Sequence, residues 1–250
     1  ILDPRKEEFP KTKKELLATV QQYNVVFNFY RNHSIGLNLI DTINKNLDIP
    51  TINPSKLERN CWDKRTSYEI FMKNNIPIPE TIITSTNSEI KDAVEKVGYP
   101  AVMKDPFGSR GKGLYFIENQ QKLIETISII NEKSYIVQQY IQKPGRDIRC
   151  LIIDGDLIAS MYRVSDDWIT SISRGAKGVR FKPEQTLENL ATKTADAFGK
   201  GVITVDILED KDKYVVCECN GMSQFQGLVK ATGINIADEI IKYGIRIAKK

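Results

Sequence analysis

The stretch VDILEDKDKYVVCECNG, Val205 to Gly221, constrains this chain more than any other. Two apolar runs flank a charged turn, the pattern of an antiparallel hairpin. Strand side chains alternate between faces with period two. A hairpin folding about Asp212 sets Asp206 directly opposite Glu218, and Asn220 follows on the same side. Two carboxylates and an amide oxygen on one inner face repel one another and stay poorly solvated unless a cation lies between them. Hard oxygen donors of this kind suit Mg²⁺, which keeps several waters and also binds phosphate oxygens. Polar residues on a solvent-facing hairpin edge would look the same, so the triplet alone leaves both readings open.

Bulk properties narrow the field. With 250 residues the chain can form one large domain or two to three small ones. Composition is that of a soluble globular protein, 41% apolar and 27% charged. The longest nearly uncharged apolar run, Tyr23 to Tyr30, is too short to span a bilayer, so no membrane partner is expected. The chain opens on Ile1 rather than Met; two short strands near its start would make a marginal sheet, so a further strand is expected, either upstream or from residues not assigned. The 36 basic and 32 acidic residues leave a net charge of +4. No basic block and no interleaving of aromatic with basic residues points to nucleic acid. Anionic small ligands fit that balance equally well.

Cys61, Cys150, Cys217 and Cys219 are too few and too scattered for a disulfide framework, and no His or Cys cluster completes a zinc site. Strand alternation turns Cys217 and Cys219 away from Glu218 and Asn220, into the core. The single histidine, His33, removes most histidine-based catalysis and is assigned to a loop or helix start. A reducing, cytoplasmic setting follows.

Along the chain, Asn24 to Tyr30 reads as a buried strand, Ser34 to Asn46 as a helix capped by Ser34, and Ile49 to Asn53 as a second short strand. That is a strand–helix–strand unit suited to a parallel sheet. A helix beginning near Asp63 within Trp62 to Asn75 stops before Pro77. Strands are expected at Thr81 to Thr84, Ala101 to Lys104, Leu114 to Ile117 and Tyr135 to Tyr140, with helices at Ser88 to Val97 and Gln120 to Ile130. Beyond Gly145 come antiparallel strands, Asp147 to Ile153 and Leu157 to Arg163, then a helix at Thr186 to Phe198, the hairpin, and a helix at Asn235 to Ala248.

Three further segments carry chemistry. KDPFGSRGKGL, Lys104 to Leu114, places glycines at 108, 111 and 113 between two strands. Such a loop can bring backbone N–H groups close to a phosphate. It is neither a Walker A loop, since Gly113 follows Lys112, nor a dinucleotide fingerprint, since a strand follows it. IVQQYI, Ile136 to Ile141, runs into KPGRDIR and reads as an interdomain crossing whose backbone can accept an adenine edge. WITSISRGAKG, Trp168 to Gly178, carries Arg174, and Arg163 ends the strand before it. Arginine suits planar anionic groups and developing charge. Each segment also has an ordinary reading as a turn, linker or surface loop.

Taken in order, Lys64, Lys104, GSRGKG, VQQYI, GRDIR, WITSISRGA, VDILED and ECN resemble the ATP-grasp superfamily, and most of all its RimK-like and LysX-like carboxylate–amine ligases. The likeness runs from about Asn24 to the carboxyl terminus. It implies an α+β fold in which two α+β subdomains clamp ATP behind a partial α/β domain. Residues 1–57 would be that preceding domain, 58–144 the central lid subdomain and 145–250 the carboxyl-terminal subdomain with the metal site. By the same resemblance Lys64 and Lys104 contact the phosphates, and Ser109 and Gly111 cover them. Gln139 and Tyr140 hold adenine, and Asp147 lies near the ribose. Arg163 and the run Ile169, Thr170 and Ser171 lie along the phosphates. Asp206, Glu218 and Asn220 bind two Mg²⁺ ions, with Mn²⁺ able to substitute. Arg174 faces the reacting carboxylate, and Arg174, Arg163 and Lys104 are the catalytic set.

The chain departs from the family pattern at the hinge, where Gln139 stands for Glu, at Ser171 for Asn, and at Ala176 for the second glycine of RGG. ECNGMSQFQG matches neither ASPG nor HTMEF, so the acceptor is the feature the resemblance specifies least. The implied reaction is ATP-dependent amide formation. The γ-phosphoryl group passes to a carboxylate, the amine attacks the resulting acyl phosphate, and phosphate leaves. Partners would be ATP, an amino acid, and a carboxylate on a small molecule, a carrier protein or a protein carboxyl terminus. Oligomeric state stays open, a homo-oligomer included. The alternative is a nucleotide-binding regulatory protein on the same scaffold, without turnover.

Overall fold

The structure, a computed structural model, describes residues 6–7, 9–29, 33–109, 111–221 and 224–249. Tyr30, the side chain of His33, Arg110 and the pair Met222 and Ser223 lie outside the described residues.

Helix α1, Lys13–Val20, starts at a capping box in which Thr12 accepts from the Glu15 amide and Glu15 accepts from the Thr12 amide. Strand β1, Val26–Phe27, pairs in parallel with β2, Thr51–Ile52, across α2, His33–Asn46. The expected parallel unit is present. Its strands are shorter than read, and Ser34 lies inside α2 rather than at its cap. The helix read as starting near Asp63 is preceded by another: α3, Ser55–Trp62, precedes α4, Lys64–Lys73, and Asp63 caps α4 by accepting from the Arg65 amide. The two are joined by that single extended residue, φ −87° and ψ 107°, which breaks the helical path.

A four-stranded sheet follows, built from β3, Thr81–Ile83, β4, Ala101–Lys104, β5, Leu114–Ile117, and β6, Ile136–Gln139, in the order β3-β6-β4-β5. Helices α5, Ile90–Val97, and α6, Gln120–Ile129, carry an apolar face onto it through Ile90, Val94 and Leu123. The second, five-stranded sheet takes β7, Arg146–Ile153, β8, Asp156–Val164, β9, Lys177–Arg180, β10, Val202–Asp210, and β11, Lys213–Gly221, in the order β11-β10-β7-β8-β9. Helix α7, Gln185–Asp196, packs beneath it. Helices α8, Gln226–Thr232, and α9, Ile236–Ala248, complete the described chain. Strand β9 and helices α1, α3 and α8 have no counterpart in the sequence reading.

The largest core lies under the second sheet, where Ile148, Cys150, Val205 and Ile207 meet Leu57, Tyr68 and Phe71 of α3 and α4. The opposite face of the same strands stays open and carries the polar residues. Asp206 pairs with Glu218, as the hairpin pattern requires. Ile207 then pairs with Val216, so Cys217 is an extra residue, a β-bulge. The bulge swings Cys217 to the open face beside Glu218 and leaves only Cys219 in the core, contrary to simple alternation.

Phe71 is fully buried and packs edge-on to Tyr68 and obliquely to Phe198. Phe71→Ala is expected to lower stability by about 3–5 kcal/mol. Urea denaturation checks this as a lower midpoint with an unchanged slope.

Candidate active site

The open face of the five-stranded sheet and the edge of the four-stranded sheet enclose a cleft of about 440 Å³. Register builds its floor. Asp147 and Arg149 sit two apart on β7 and share the upper face. Across the strands Asp147 meets Arg163, and Asp206 lies between Arg149 on one side and Glu218 on the other. Opposite charges thus meet along β7 and across to β8 and β10, whereas Asp206 and Glu218 are like charges side by side.

The contacts are bidentate. Arg149 donates to Asp206 through Nε and a terminal nitrogen, both at 2.7 Å. Arg163 grips Asp147 through two bonds of 2.6 Å and reaches Asp206 at 3.0 Å. Thr170 also donates to Asp147. Burial alone would raise the pKa of Asp206, but Arg149 and Arg163 pull it down to about 2. Removing either guanidinium would leave a buried charge short of its partner, which costs roughly 3–5 kcal/mol.

Lysines form the opposite wall. Lys104, buried at the end of β4, donates to Gln138 Oε1 at 2.6 Å and to the Tyr68 hydroxyl at 3.0 Å. Burial would depress this ammonium, but the bulged Cys217, Tyr68 and Glu218 together hold it above its ordinary value. Its direct partners are neutral, so the cleft offers a buried cation without an anion in contact. Lys64, the first residue of α4, bridges two elements by donating to Gly108 O at 2.5 Å and pairing with Glu218 at 2.9 Å. Lys143 donates to Thr170 at 2.7 Å, and burial lowers its pKa.

The loop of residues 105–113 hangs over this wall. Its base is closed by the Asp105 amide donating to Gly113 O at 2.7 Å, and by the Lys64 amide donating to Pro106 O at 3.1 Å. Ser109 and Gly111 both face the cleft. Gly111 has φ +74°, and a Cβ there would stand 2.6 Å from Arg174 Cδ and 3.3 Å from Ile169. The glycine loop and the Trp168–Gly178 segment therefore touch. Ile169, Thr170 and Ser171 line the cleft, as the resemblance implied. Arg174 does not. It is exposed at the rim, paired with Asp167 at 3.5 Å, where solvent screens the pair. At the crossing, the Gln139 and Tyr140 amides already donate to Glu80 O at 2.9 Å and Pro100 O at 3.2 Å. An adenine edge must therefore meet other main-chain groups there. Tyr140, Phe116 and Trp168 pack edge to face around that end of the cleft.

Asp206, Glu218 and Asn220 all reach the cleft. Among the described residues no three His, Cys, Asp or Glu side chains cluster as a metal site, so the set is two carboxylates and one amide. The donor chemistry suits Mg²⁺. Asn220 would offer the ion its Oδ1; its buried Nδ2, which has no hydrogen-bond partner among the described residues, is a donor and would be left for another ligand. Glu218 would exchange its Lys64 contact for the ion, and Asp206, whose two oxygens are held by Arg149 and Arg163, would have to share one of them with it.

A family model of the RimK-like ATP-grasp domain matches residues 61–244. The chain belongs to the RimK-like ATP-grasp family. It is 30% identical over 204 residues to the glutamate–LysW ligase ArgX of Sulfolobus acidocaldarius, covering 78% of this chain and 72% of that protein. To the α-aminoadipate–LysW ligase LysX of Sulfurisphaera tokodaii it is 28% identical over 236 residues, covering 90% and 81%. The crystal structure of a RimK-domain ATP-grasp protein from Sphaerobacter thermophilus superposes with a TM-score of 0.72 at 19% identity, covering 89% of this chain and 81% of that one. The fold is ATP-grasp, and the chain is an ATP-dependent, ADP-forming carboxylate–amine ligase. Among the described residues no helix is long and apolar enough to cross a membrane.

Several residues of the ligase's cleft escaped the sequence reading. Arg149 was signalled by its spacing from Asp147, since residues two apart on a strand share a face. Lys143, Gln138 and Trp168 had no pattern of their own. Glu58 sits on α3, a helix that was not expected. It is buried, accepts from Asn53 Nδ2 at 2.7 Å, and burial pushes its pKa up from 4.5 to about 7.

The folded state holds the Glu58 proton more tightly than the unfolded chain, so stability is lost as pH rises from 4.5 through about 7. Glu58→Gln removes this dependence. The stability of the variant relative to the wild type is expected to grow by about 3 kcal/mol between roughly pH 4 and pH 8, measured by denaturant unfolding.

Proposed function

We propose that this ligase joins an acidic amino acid, of which L-glutamate is the leading candidate, to a carboxylate borne by a carrier protein, a protein carboxyl terminus or a small molecule. The named relatives, a glutamate ligase and an α-aminoadipate ligase, support an acidic amino acid. One observation carries the site assignment: a buried ammonium without an anion, Lys104, shares a cleft with the opposed carboxylates Asp206 and Glu218. Five cationic side chains, Lys64, Lys104, Lys143, Arg149 and Arg163, outnumber the four acidic ones there, Glu58, Asp147, Asp206 and Glu218. A triphosphate fits that balance.

In this reading the aromatic end around Tyr140 and Trp168, with Val102, Ile141 and Leu208, takes the adenine. Lys104, Lys64 and Lys143 hold the phosphates, and the glycine loop with Ser109 and Gly111 covers them and excludes water from the acyl phosphate. Asp206, Glu218 and Asn220 hold Mg²⁺, two ions or Mn²⁺ in their place. The metal, when bound, offsets triphosphate charge and orients the transferring group. Arg163, fixed by Asp147, and Arg149 present positive charge to the reacting carboxylate and the oxyanion that follows. Their buried, clamped positions suit this role better than the rim position of Arg174. Asp147 then orients Arg163 rather than reading the ribose. The units 58–144 and 145–250 would form the clamp, preceded by 1–57. Four free cysteines agree with a reducing cytoplasm.

Two variants test the assignment. Glu218→Ala should cut Mg-ATP-dependent ADP release by at least about a hundredfold while circular dichroism stays unchanged. Full turnover would remove the metal role. Lys104→Ala should raise the ATP dissociation constant about ten- to a hundredfold by calorimetry, the worth of a hydrogen bond to a charged group. An unchanged affinity would place the phosphates elsewhere.

A further inference from the structure

Three carboxylates that line the cleft are buried: Glu58, Asp147 and Asp206. The two aspartates are each gripped by arginine. Glu58 has no cation within ion-pair distance among the described residues. Its bond is to the neutral amide of Asn53 at 2.7 Å, and that amide is itself committed to the Val202 backbone at 2.8 and 2.6 Å. A buried carboxylate facing a cleft without a cation is incomplete, and burial lifts its proton affinity accordingly.

Its neighbourhood says what completes it. Glu58 occupies the space that a side chain at 221 would fill, since a Cβ on Gly221 would stand 2.6 Å from Glu58 Oε1 and 2.9 Å from Oε2. The next residue back, Asn220, holds the buried, unpartnered Nδ2. Glu58 thus approaches β11 from the α3 side at Gly221 and reaches the end of the cleft with its charge uncompensated. A triphosphate cannot complete it, because like charges repel; an ammonium group can.

We propose that Glu58 is the recognition residue for the ammonium group of the amino-acid substrate, held at the Asn220–Gly221 end of the cleft. The inference rests on the ligase reading above and adds the residue that selects the amine. The chain's glycine at 221 serves it by leaving room for the carboxylate. Nucleotide binding, at the lysine wall, does not involve Glu58.

The test compares the wild type with Glu58→Gln in ADP release at saturating Mg-ATP. The probes are L-glutamate as the amine and a pool of tripeptides with free carboxyl termini as the carboxylate. The variant should raise the KM for L-glutamate by at least about tenfold and leave the KM for ATP within about twofold. Glutarate, which lacks the ammonium group, should inhibit both proteins equally. Gly221→Ala, which pushes the carboxylate aside without removing it, should raise the same KM and serves if Glu58→Gln does not fold. Equal rises in both KM values would assign Glu58 a structural role only and overturn the proposal. Stimulation by L-glutamate that survives unchanged in both variants would overturn it while leaving the ligase reading intact. A wild type that no common amino acid stimulates would overturn both.

Discussion

Asp206 lies almost wholly out of solvent between two guanidinium groups, and the rest of the active face is arranged around that burial. A lone carboxylate there would shed its charge. Arg149 keeps it ionised from one neighbouring strand, and Arg163 from the strand beyond. Because Asp147 binds Arg163 in turn, four side chains on β7, β8 and β10 form one continuous ionic layer. Such a layer tolerates no slip in register, since a shift of one residue would turn every charge into the apolar core. The core under the sheet and the chemistry above it are therefore set by the same strand pairing.

Much of this was legible in the chain. Period-two alternation around a charged turn placed Asp206 opposite Glu218, and both strands of the β4–β5 hairpin were read to their observed ends. What failed did so for identifiable reasons. Cys217 was placed in the core because alternation assumes an unbroken ladder, and a single inserted residue breaks it. Helix α3 was missed because its buried face, Leu57, Glu58 and Cys61, includes a charged residue and so shows no apolar stripe. Strand β9 is exposed at every position and pairs only at a sheet edge, so its residues carry no burial pattern to read. Arg174 was read as facing the reacting carboxylate and Arg149 was not singled out. Strand β7 turns Arg149 into the cleft two residues from Asp147, whereas Arg174 lies in a loop whose side-chain direction no period encodes.

The cleft has two poles left incomplete by the protein itself. Among the described residues, Lys104 at one has only uncharged hydrogen-bond partners, and Glu58 at the other has only an amide. Proteins seldom leave buried charge in this state unless a ligand arrives to finish it. The two poles have opposite signs, so ligand groups of opposite charge complete different parts of one cleft.

Asn53 has a consequence for motion. Its side chain makes both bonds that a neighbouring strand would make to Val202, in a place no solvent reaches. This riveting fastens the small parallel layer to the start of β10, and through it to the ionic floor. A hinge at this joint would have to break both of those buried bonds before it could open.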